Sequence, residues 1–189
     1  GYATAIKYAS HGADLLFINR NEKKSEELCD AVRRQFKSNC NYFIADFSKL
    51  SDVHLAAKQL ANLERNIDVL IHNAGLYMTK KTITEDQLEA AFQTNYLSTF
   101  ILNYSLVDKL KTQNHWRILF VNSEAYRFPI AGLHFDDLFW KKHHYSGLKS
   151  YGAAKLAQLL SMIILTEIYQ GTEITVNAMH PGNIKTNSG

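Results

Sequence analysis

The sequence predicts an α/β fold in which helices cover both faces of an open, doubly wound parallel sheet. Short apolar runs alternate along the chain with longer segments whose apolar residues recur at helical spacing, as Leu28, Val32 and Phe36 do. Such alternation implies right-handed crossovers between parallel strands, so we expect three layers, α/β/α. The 189 residues, 46% of them hydrophobic, are enough for a single domain with a sizeable core, spanning residues 1–189.

Five short segments are predicted as strands, because each is apolar, too short for a core helix and bounded by turn-forming residues. In chain order they are residues 14–19, 42–45, 67–71, 118–121 and 174–178. Their continuous apolar character predicts strands that are buried on both faces.

Five longer segments alternate with the strands and are predicted as helices. In chain order they cover residues 3–11, 22–36, 51–63, 84–110 and 150–169. Gly12 is expected to end the first helix in the left-handed conformation. Ser51 and Asp52 are expected to cap the third helix, and Thr84 with Gln87 forms a capping box for the fourth.

The charge balance and the cysteines exclude several classes of function. Lys and Arg number 21 against 18 Asp and Glu, a net charge of +3 that is too even for a nucleic-acid or polybasic membrane surface. Cys29 and Cys40 have neither CxxC spacing nor paired ligands nearby, so we expect a reducing, cytoplasmic compartment and no metal site. No run approaches the ~18 consecutive apolar residues of a membrane-spanning helix.

Polar residues follow the predicted strands at the edge where an α/β sheet binds its ligands. In such sheets the ligand lies beyond the carboxyl ends of the strands. Asp46, Asn73, Ser123 and the pair Pro181-Gly182 all occupy that edge. We therefore expect these residues to border one crevice.

Tyr151 and Lys155 stand four residues apart on the last predicted helix and hence on one face of it. A nearby ammonium favours phenolate, so the pKa of Tyr151 is expected to fall from its reference of about 10. A phenol tuned in this way can act as a general acid or base for a carbonyl or alcohol oxygen. A surface Tyr/Lys pair would have the same spacing, so the pair gains its weight from the motifs around it.

Five motifs, in this order along the whole chain, resemble the short-chain dehydrogenase/reductase family of nicotinamide-dependent oxidoreductases, which have a Rossmann fold. The motifs are Asn73-Ala74-Gly75, Asn95, Ser123, Tyr151 with Lys155, and Pro181-Gly182. His72 stands where the family turn has its first Asn. The turn keeps its Asn and Gly, so we expect little loss from this substitution.

The resemblance implies catalytic roles for four residues. Tyr151 resembles the proton donor and acceptor, and Lys155 the cation that lowers its pKa and holds the nicotinamide ribose. Ser123 resembles the hydroxyl that binds the reacting oxygen. Asn95 resembles the residue that bends its helix and holds a water linking Lys155 to solvent; a helix-interior polar residue is the alternative.

The resemblance also implies a set of cofactor-binding residues at the ends of the strands. They are Gly1, Arg20, Asp46, Phe47, Asn73, Ala74, Gly75, Tyr151, Lys155, Pro181, Gly182, Ile184 and Thr186. Asp46 would accept a hydrogen bond from the adenine amino group, with Phe47 beside the ring.

Arg20, after the first predicted strand, indicates the cofactor. A site for NAD usually has an acidic residue at this position, which binds the ribose 2′-hydroxyl. A guanidinium instead binds a 2′-phosphate bidentately. We expect NADP(H) rather than NAD(H), with a solvated turn residue as the alternative reading of Arg20.

An insertion between Ser123 and Tyr151 indicates a branch of the family. It contains residues 134–138, and together with residues 84–89 it resembles the retinol dehydrogenase and protochlorophyllide reductase branch. That branch implies a bulky apolar carbonyl or alcohol substrate. Phe139, Trp140 and Tyr145 in the insertion could line a substrate entrance or cover the core.

The family pattern also implies segments on either side of this chain. Gly1 resembles the last glycine of the family's phosphate-binding turn, and residue 189 stands where its substrate-binding region would begin. We expect a domain truncated at both ends, without its central first strand, which leaves open an upstream targeting segment or membrane anchor. Two further alternatives remain at this point, a non-catalytic dinucleotide-binding regulator or scaffold and a homo-oligomer formed through the long helices.

Overall fold

The computed structural model describes residues 1–113, 115–129 and 132–182, and within them strands alternate with helices. The strands are β1 (Leu15–Asn19), β2 (Cys40–Ile44), β3 (Val69–His72), β4 (Arg117–Val121) and β5 (Thr175–Met179). The helices are α1 (Tyr2–Ala9), α2 (Glu22–Phe36), α3 (Leu50–Ala61), α4 (Ala90–Phe92), α5 (Ser98–Lys111) and α6 (Gly147–Ile168). Every strand pair is parallel, which confirms the predicted α/β class.

The strands form two parallel sheets, β1-β2 and β3-β4-β5. In the part of the chain that the structure describes, β1 and β3 therefore each have a hydrogen-bonded neighbour on one side only. All five residues of β1 are half-buried. The strand is therefore less buried than predicted, because one of its edges has no strand beside it among the described residues.

Helices cover both faces of β1, as the alternation of its side chains shows. Leu15 and Phe17 pack against a small core that includes Ala9 of α1 and Val32 of α2. Leu16 and Ile18 contact the main core on the other face. Successive strand residues point to opposite faces, so this division confirms the three-layer arrangement.

The main core lies between β4 and the helices α3, α5 and α6. Its fully buried members include Val53, Leu106, Ile118, Phe120 and Trp116. Burying side chains of this size contributes roughly 1.5–3 kcal/mol each. This core holds β4 and α6, the two elements that carry Ser123 and Tyr151, against each other.

Helix α4 begins at Ala90, six residues after Thr84, the first residue of the predicted capping box. Thr84 and Gln87 do not cap it; the main chain of Thr84 bonds Leu88 and Gln87 in a tight turn. Glu89 is the cap, and its carboxylate accepts hydrogen bonds from the amides of residues 91 and 92 at 3.1 and 2.8 Å. The prediction was wrong because the main-chain N–H and C=O of Thr84 bond within this tight turn and are not available to a helix.

The predicted cap of α3 is also wrong. Lys49 is the residue before the helix and makes no side-chain cap. Asp86, from the segment before α4, accepts a hydrogen bond from the Leu50 amide at 2.8 Å instead. Asp52 lies inside the first turn and accepts from the Asp46 amide at 3.0 Å, so it holds the loop after β2.

A π-helical turn, Gln93–Leu97, joins α4 to α5. Asn95 lies in its middle and is fully buried. A π turn widens the helix locally and often marks a functional site. The helix therefore changes type at Asn95, where a bend was expected.

Within the described residues, α6 is the one helix long and apolar enough to cross a membrane by length and composition, and 39% of its apolar window is buried in the fold. Its inner face includes Ala154 and Ala157, which are buried in a small apolar cluster with Phe92. Its outer face exposes Leu160, Ile163 and Ile164.

Candidate active site

The carboxyl ends of β1, β2 and β3 border an open cleft of about 510 Å³. Arg20, Asp46, Phe47, Ala74 and Gly75 all line it. The structure thus brings together five of the residues assigned to cofactor binding. They reach one cleft because parallel strands end at one edge of the fold.

Ser123 and Tyr151 form the polar pair of the site. Ser123 follows β4 and is the cap of a short 3-10 turn, Glu124–Arg127, in which its hydroxyl accepts from the Ala125 amide at 3.2 Å. Tyr151 lies one turn into α6, half-buried, with the Ser123 side chain close enough to lower the pKa of its phenol. The ring of Tyr77 meets the Tyr151 ring edge-on at 5.8 Å between centroids.

The pKa of Tyr151 departs from the expectation. Burial raises it above its usual value, and the nearby Ser123 side chain opposes that rise. Lys155 does not lower it, because its Nζ donates to Val121 O at 2.8 Å and lies 5.6 Å from the centroid of the Tyr151 ring. The expectation that Lys155 lowers this pKa is wrong for this structure.

Lys155 is itself buried, with 2% of its surface exposed. Burial lowers its pKa to about 8. Its second acceptor is Gln158 Oε1 at 3.2 Å. The ammonium is therefore held by two neutral oxygens, which stabilise its charge less than a carboxylate would.

Asn95 fixes the loop after β3. Its side-chain oxygen accepts from the Leu76 amide at 2.6 Å, and its side-chain nitrogen donates to Leu76 O at 2.7 Å. Gly75 packs against the same side chain, and a Cβ on Gly75 would stand 3.6 Å from Asn95 Oδ1. Asn95 thus positions the Asn73-Ala74-Gly75 turn through its side chain and leaves its main-chain carbonyl free for another donor.

Gly1 lies beside the same turn. Its nitrogen is 3.4 Å from Asn73 Oδ1, and a Cβ at Gly1 would stand 3.2 Å from Asn73 Nδ2. Gly1 is also the N-terminal cap of α1. The amides at the start of this helix consequently open next to the Asn73 turn, in a position that suits an anionic group.

Arg20 and Asp46 face the cleft from neighbouring strands. Burial opposes the ionisation of Asp46, but hydrogen bonds from Ser48 at 2.9 and 2.7 Å and the charge of Arg20 outweigh it and lower its pKa. Arg20 is exposed. Both charges are therefore present at neutral pH, with the guanidinium available to a ligand.

The last predicted cofactor residues fall at the end of the described chain. Pro181 and Gly182 follow β5, and Gly182 has a φ of +78°. Ile184 and Thr186 lie outside the described residues.

Sequence reasoning missed two buried polar residues that support the site. Gln158 hydrogen-bonds Lys155, and Glu89 accepts from the hydroxyls of Ser150 at 2.8 Å and Tyr145 at 3.1 Å. Glu89 thereby ties the start of α4 to the first turn of α6. The spacing of Gln158, three residues after Lys155, was the signal that could have identified it.

The insertion covers the core rather than leaving it open. Phe139 packs edge-on against Phe92 with centroids 6.0 Å apart, and Leu133 and Leu138 join the same cluster. Tyr145 hydrogen-bonds Glu89, as above, and packs against Trp140 with centroids 5.5 Å apart. Of the two alternatives, the structure therefore favours core cover for Phe139 and Tyr145.

Comparison with known proteins identifies close sequence relatives. A family model described as short chain dehydrogenase matches residues 1–135. The chain is 33% identical over its whole length to human retinol dehydrogenase 13 and 31% identical to human retinol dehydrogenase 14. It is 30% identical over 97% of its length to a WW domain-containing oxidoreductase of Drosophila melanogaster. The chain spans 57%, 60% and 46% of these relatives' lengths, respectively.

Solved structures share the fold. An uncharacterized protein from Mycobacterium paratuberculosis superimposes with a TM-score of 0.81 at 29% identity, over 99% of this chain and 65% of that one. A short-chain dehydrogenase from Sphingobium yanoikuyae in complex with NADPH gives a TM-score of 0.75 at 20% identity, over 94% of this chain and 65% of that one. These similarities confirm the Rossmann-type fold.

Proposed function

Because the chain belongs to the short-chain dehydrogenase family, whose model matches residues 1–135, we propose that it forms the nucleotide-binding and catalytic region of an NADP(H)-dependent oxidoreductase. The reaction is hydride transfer between the nicotinamide and a carbonyl or alcohol carbon. The observation that carries this proposal is the grouping of three side chains: Ser123 lies close enough to Tyr151 to lower its pKa, and buried Lys155, one helical turn away, has its Nζ 5.6 Å from the centroid of the Tyr151 ring. Residues 1–189 would then constitute most of one dinucleotide-binding domain.

The cleft has the features that a dinucleotide requires. It is large, it is lined by Arg20 and by Phe47, and the start of α1 opens beside Asn73. Thr94 also lines it, and its hydroxyl is buried without a hydrogen-bond partner among the described residues. Unsatisfied buried hydroxyls are uncommon in native proteins, so Thr94 supports an interaction that is completed by a ligand.

The proton chemistry would be carried by Tyr151 and Ser123. When bound, the nicotinamide supplies or accepts the hydride. Tyr151 Oη gives a proton to the substrate oxygen in the reductive direction and takes it back in the other, while the Ser123 hydroxyl donates to the same oxygen as its negative charge grows. Burial keeps the Tyr151 phenol protonated at neutral pH, which is the form that reduction requires.

Replacing Tyr151 by Phe tests this assignment. The variant should lose at least about a hundredfold in turnover of NADPH with an aldehyde panel, since general acid catalysis contributes roughly 10²–10⁴-fold, and should bind NADPH nearly as well as the parent. Tyr42→Phe, a half-buried tyrosine of β2 outside the site, is the matched control and should keep its turnover. Substantial turnover by Tyr151→Phe would refute the mechanism, and a parent protein that binds NADPH but oxidises none would favour the non-catalytic alternative.

Arg20 supports a preference for the phosphorylated cofactor. It is exposed at the rim of the cleft, and among the described residues it has no ion-pair partner within salt-bridge distance. A 2′-phosphate would meet this guanidinium, whereas NADH offers it a neutral hydroxyl. Arg20→Asp should weaken NADPH binding at least tenfold relative to NADH, measured by fluorescence titration of both cofactors. An unchanged ratio of the NADPH and NADH affinities would show that Arg20 does not determine the cofactor preference.

The relatives indicate the substrate class. Two of them are named retinol dehydrogenases, and an apolar carbonyl or alcohol of that kind is the substrate we propose for this chain. Turnover of long-chain and cyclic apolar aldehydes, compared with short polar ones, tests the class. Equal or better turnover of the polar aldehydes would contradict it.

A groove between α5 and α6 supports assembly with a second copy. It is lined by apolar side chains of both helices, including Phe100, Tyr104 and Ile164, of which Tyr104 is 71% and Ile164 53% exposed. A two-fold axis would place the same patch on both partners and bury it. Ile164→Glu should convert the dimer to a monomer in native mass measurement, whereas Leu55→Glu, at an exposed apolar site on α3, should not. A monomeric parent protein would refute this assembly.

The two cysteines support a reducing, cytoplasmic location. Cys29 and Cys40 are both free and buried, and their thiols lie close enough to interact. In an oxidising compartment such neighbours would be expected to pair. Mass measurement after alkylation of the native cellular protein tests this, and an intact Cys29–Cys40 disulfide would contradict it.

A further inference from the structure

Gln158 links the three elements that meet at Lys155. Its Oε1 accepts from Lys155 Nζ and from Asn122 Nδ2, both at 3.2 Å, and its Nε2 donates to Asn95 O at 2.6 Å. The residue is fully buried. A single side chain therefore joins α6, the end of β4 and the π turn, with all three bonds made inside the protein.

The π turn supplies the acceptor for this link. A turn with i to i+5 geometry displaces main-chain carbonyls from their usual α-helical partners. The Asn95 carbonyl accepts from the Gln158 side-chain amide at 2.6 Å, and the Thr99 hydroxyl lies 3.5 Å from it. The Gln158 side chain is therefore bonded directly to the main chain of the π turn.

Lys155 has few other restraints. Its Nζ donates to Val121 O at 2.8 Å and to Gln158. The titratable groups that face it are Tyr151 on its own helix and His72 on β3, whose pKa the Lys155 charge helps to lower. Both are neutral at pH 7, because burial raises the pKa of Tyr151 and lowers that of His72 to about 4. Gln158 is thus one of only two described groups that hold the ammonium.

We propose that Gln158 is a positioning residue for Lys155, and that its side chain makes directly the connection to the π turn that the family resemblance assigns to a water. This inference rests on the proposed function, because Lys155 contributes to catalysis only if the chain binds NADP(H) and transfers hydride at this site. An amide neither takes up nor releases a proton near neutral pH. Gln158 therefore fixes where the ammonium stands and does not conduct a proton from it.

Two substitutions of similar shape separate this role from simple packing. Gln158→Met removes the acceptor, and the pKa of Lys155 should fall further because the charged form loses a hydrogen bond. Gln158→Glu places a carboxylate at the same distance, and the pKa should rise by at least one unit, a tenfold gain in proton affinity. The measurement is a pH titration of ¹³C-labelled lysine side chains by NMR on the protein without nucleotide.

Gln93→Leu is the matched control. Gln93 is a fully buried glutamine of the same π turn, but its side chain bonds Thr84 and Asp86. It should lose stability without moving the titration of Lys155. A packing role for Gln158 predicts something different, since a loosened site admits water and raises the pKa of Lys155 in both variants. That result, or no shift in either, would overturn the proposal.

A further measurement needs no substitution and decides the matter if a variant does not fold. In the parent protein the Gln158 side-chain amide resonances should shift as Lys155 titrates near pH 8, and their hydrogens should exchange slowly with solvent. If the Gln158 side-chain amide resonances do not shift as Lys155 titrates, the proposal is overturned. In turnover assays Gln158→Glu should move the pH midpoint of kcat upward; a parent protein without turnover would refute the proposed function, and the NMR titrations would still decide the role of Gln158.

Discussion

Gly152 lies where α6 and the turn carrying Ser123 come closest, and substituting it with Ala perturbs the site without touching a polar group. A Cβ at this position would stand 3.0 Å from Pro129 Cδ and 3.3 Å from the carbonyl carbon of Ala125, with the Ala125 oxygen nearer still. Carbon–oxygen contacts usually begin at about 3.3 Å. The added methyl group therefore cannot fit unless the turn or the helix moves by roughly 1 Å.

The size of the effect follows from what the turn carries. Ser123 caps the 3-10 turn and lies beside Tyr151, the neighbour of Gly152. A shift of about 1 Å separates these two side chains and can cost about 10²-fold in rate. Overpacking of this kind also costs about 1–3 kcal/mol of folding free energy.

Gly152→Ala should accordingly lower both stability, measured by denaturant unfolding, and turnover of NADPH. Gly75→Ala is the steric control for stability, because its methyl would meet nothing closer than 3.6 Å; its unfolding free energy should stay within about 0.5 kcal/mol of the parent. If Gly152→Ala keeps the parent's stability and rate, the close approach of turn and helix is wrong.

Two other buried groups give predictions of a different kind. Glu89→Ala should lower the free energy of unfolding by about 3 kcal/mol, measured with denaturant, because it removes a helix cap and leaves the hydroxyls of Ser150 and Tyr145 without their acceptor. A loss below about 1 kcal/mol would contradict this network. His72 is buried, stacks on Phe120 and resists protonation, with its pKa lowered to about 4 from 6.5. The unfolded chain takes up that proton first, so this contribution is complete above about pH 6.5 and is lost as the pH falls towards 4, about 3 kcal/mol in all. The unfolding free energy of His72→Asn should lack this part of the acid dependence, and identical pH profiles for the two proteins would show that the ring is not held neutral.

The sequence predicted correctly the bounds of those elements whose local capping and apolar patterns agree with their packing in the fold. Helix α2 has the predicted bounds, because Asn21 caps its first turn and Val32 lies buried on the predicted face. Helix α4 was misplaced because its cap, Glu89, is stabilised by Ser150 and Tyr145, which are more than fifty residues away. A capping pattern read locally does not contain that information.

The same limit applies to the site. Tyr151 and Ser123 were identifiable because their spacing and their positions after strands are written in the sequence. The spacing of Gln158 after Lys155 was a local signal, but nothing local indicates that Gln158 or Glu89 is buried, since polar side chains of these types are usually exposed. The direction of the Tyr151 pKa shift was also unpredictable, because it depends on where Lys155 points within the fold.

The π turn has a consequence for how this chain can vary. Such a turn holds one residue more than the α-helical segment it replaces. Removing one residue from 93–97 would let the helix run on in ordinary geometry while α4 and α5 keep the faces they now turn to the core. The Asn95 carbonyl would then return to the helical ladder, and Lys155 would lose its tether. Deletion of one of these residues is therefore expected to disturb the Lys155 site while the rest of the fold stays in place.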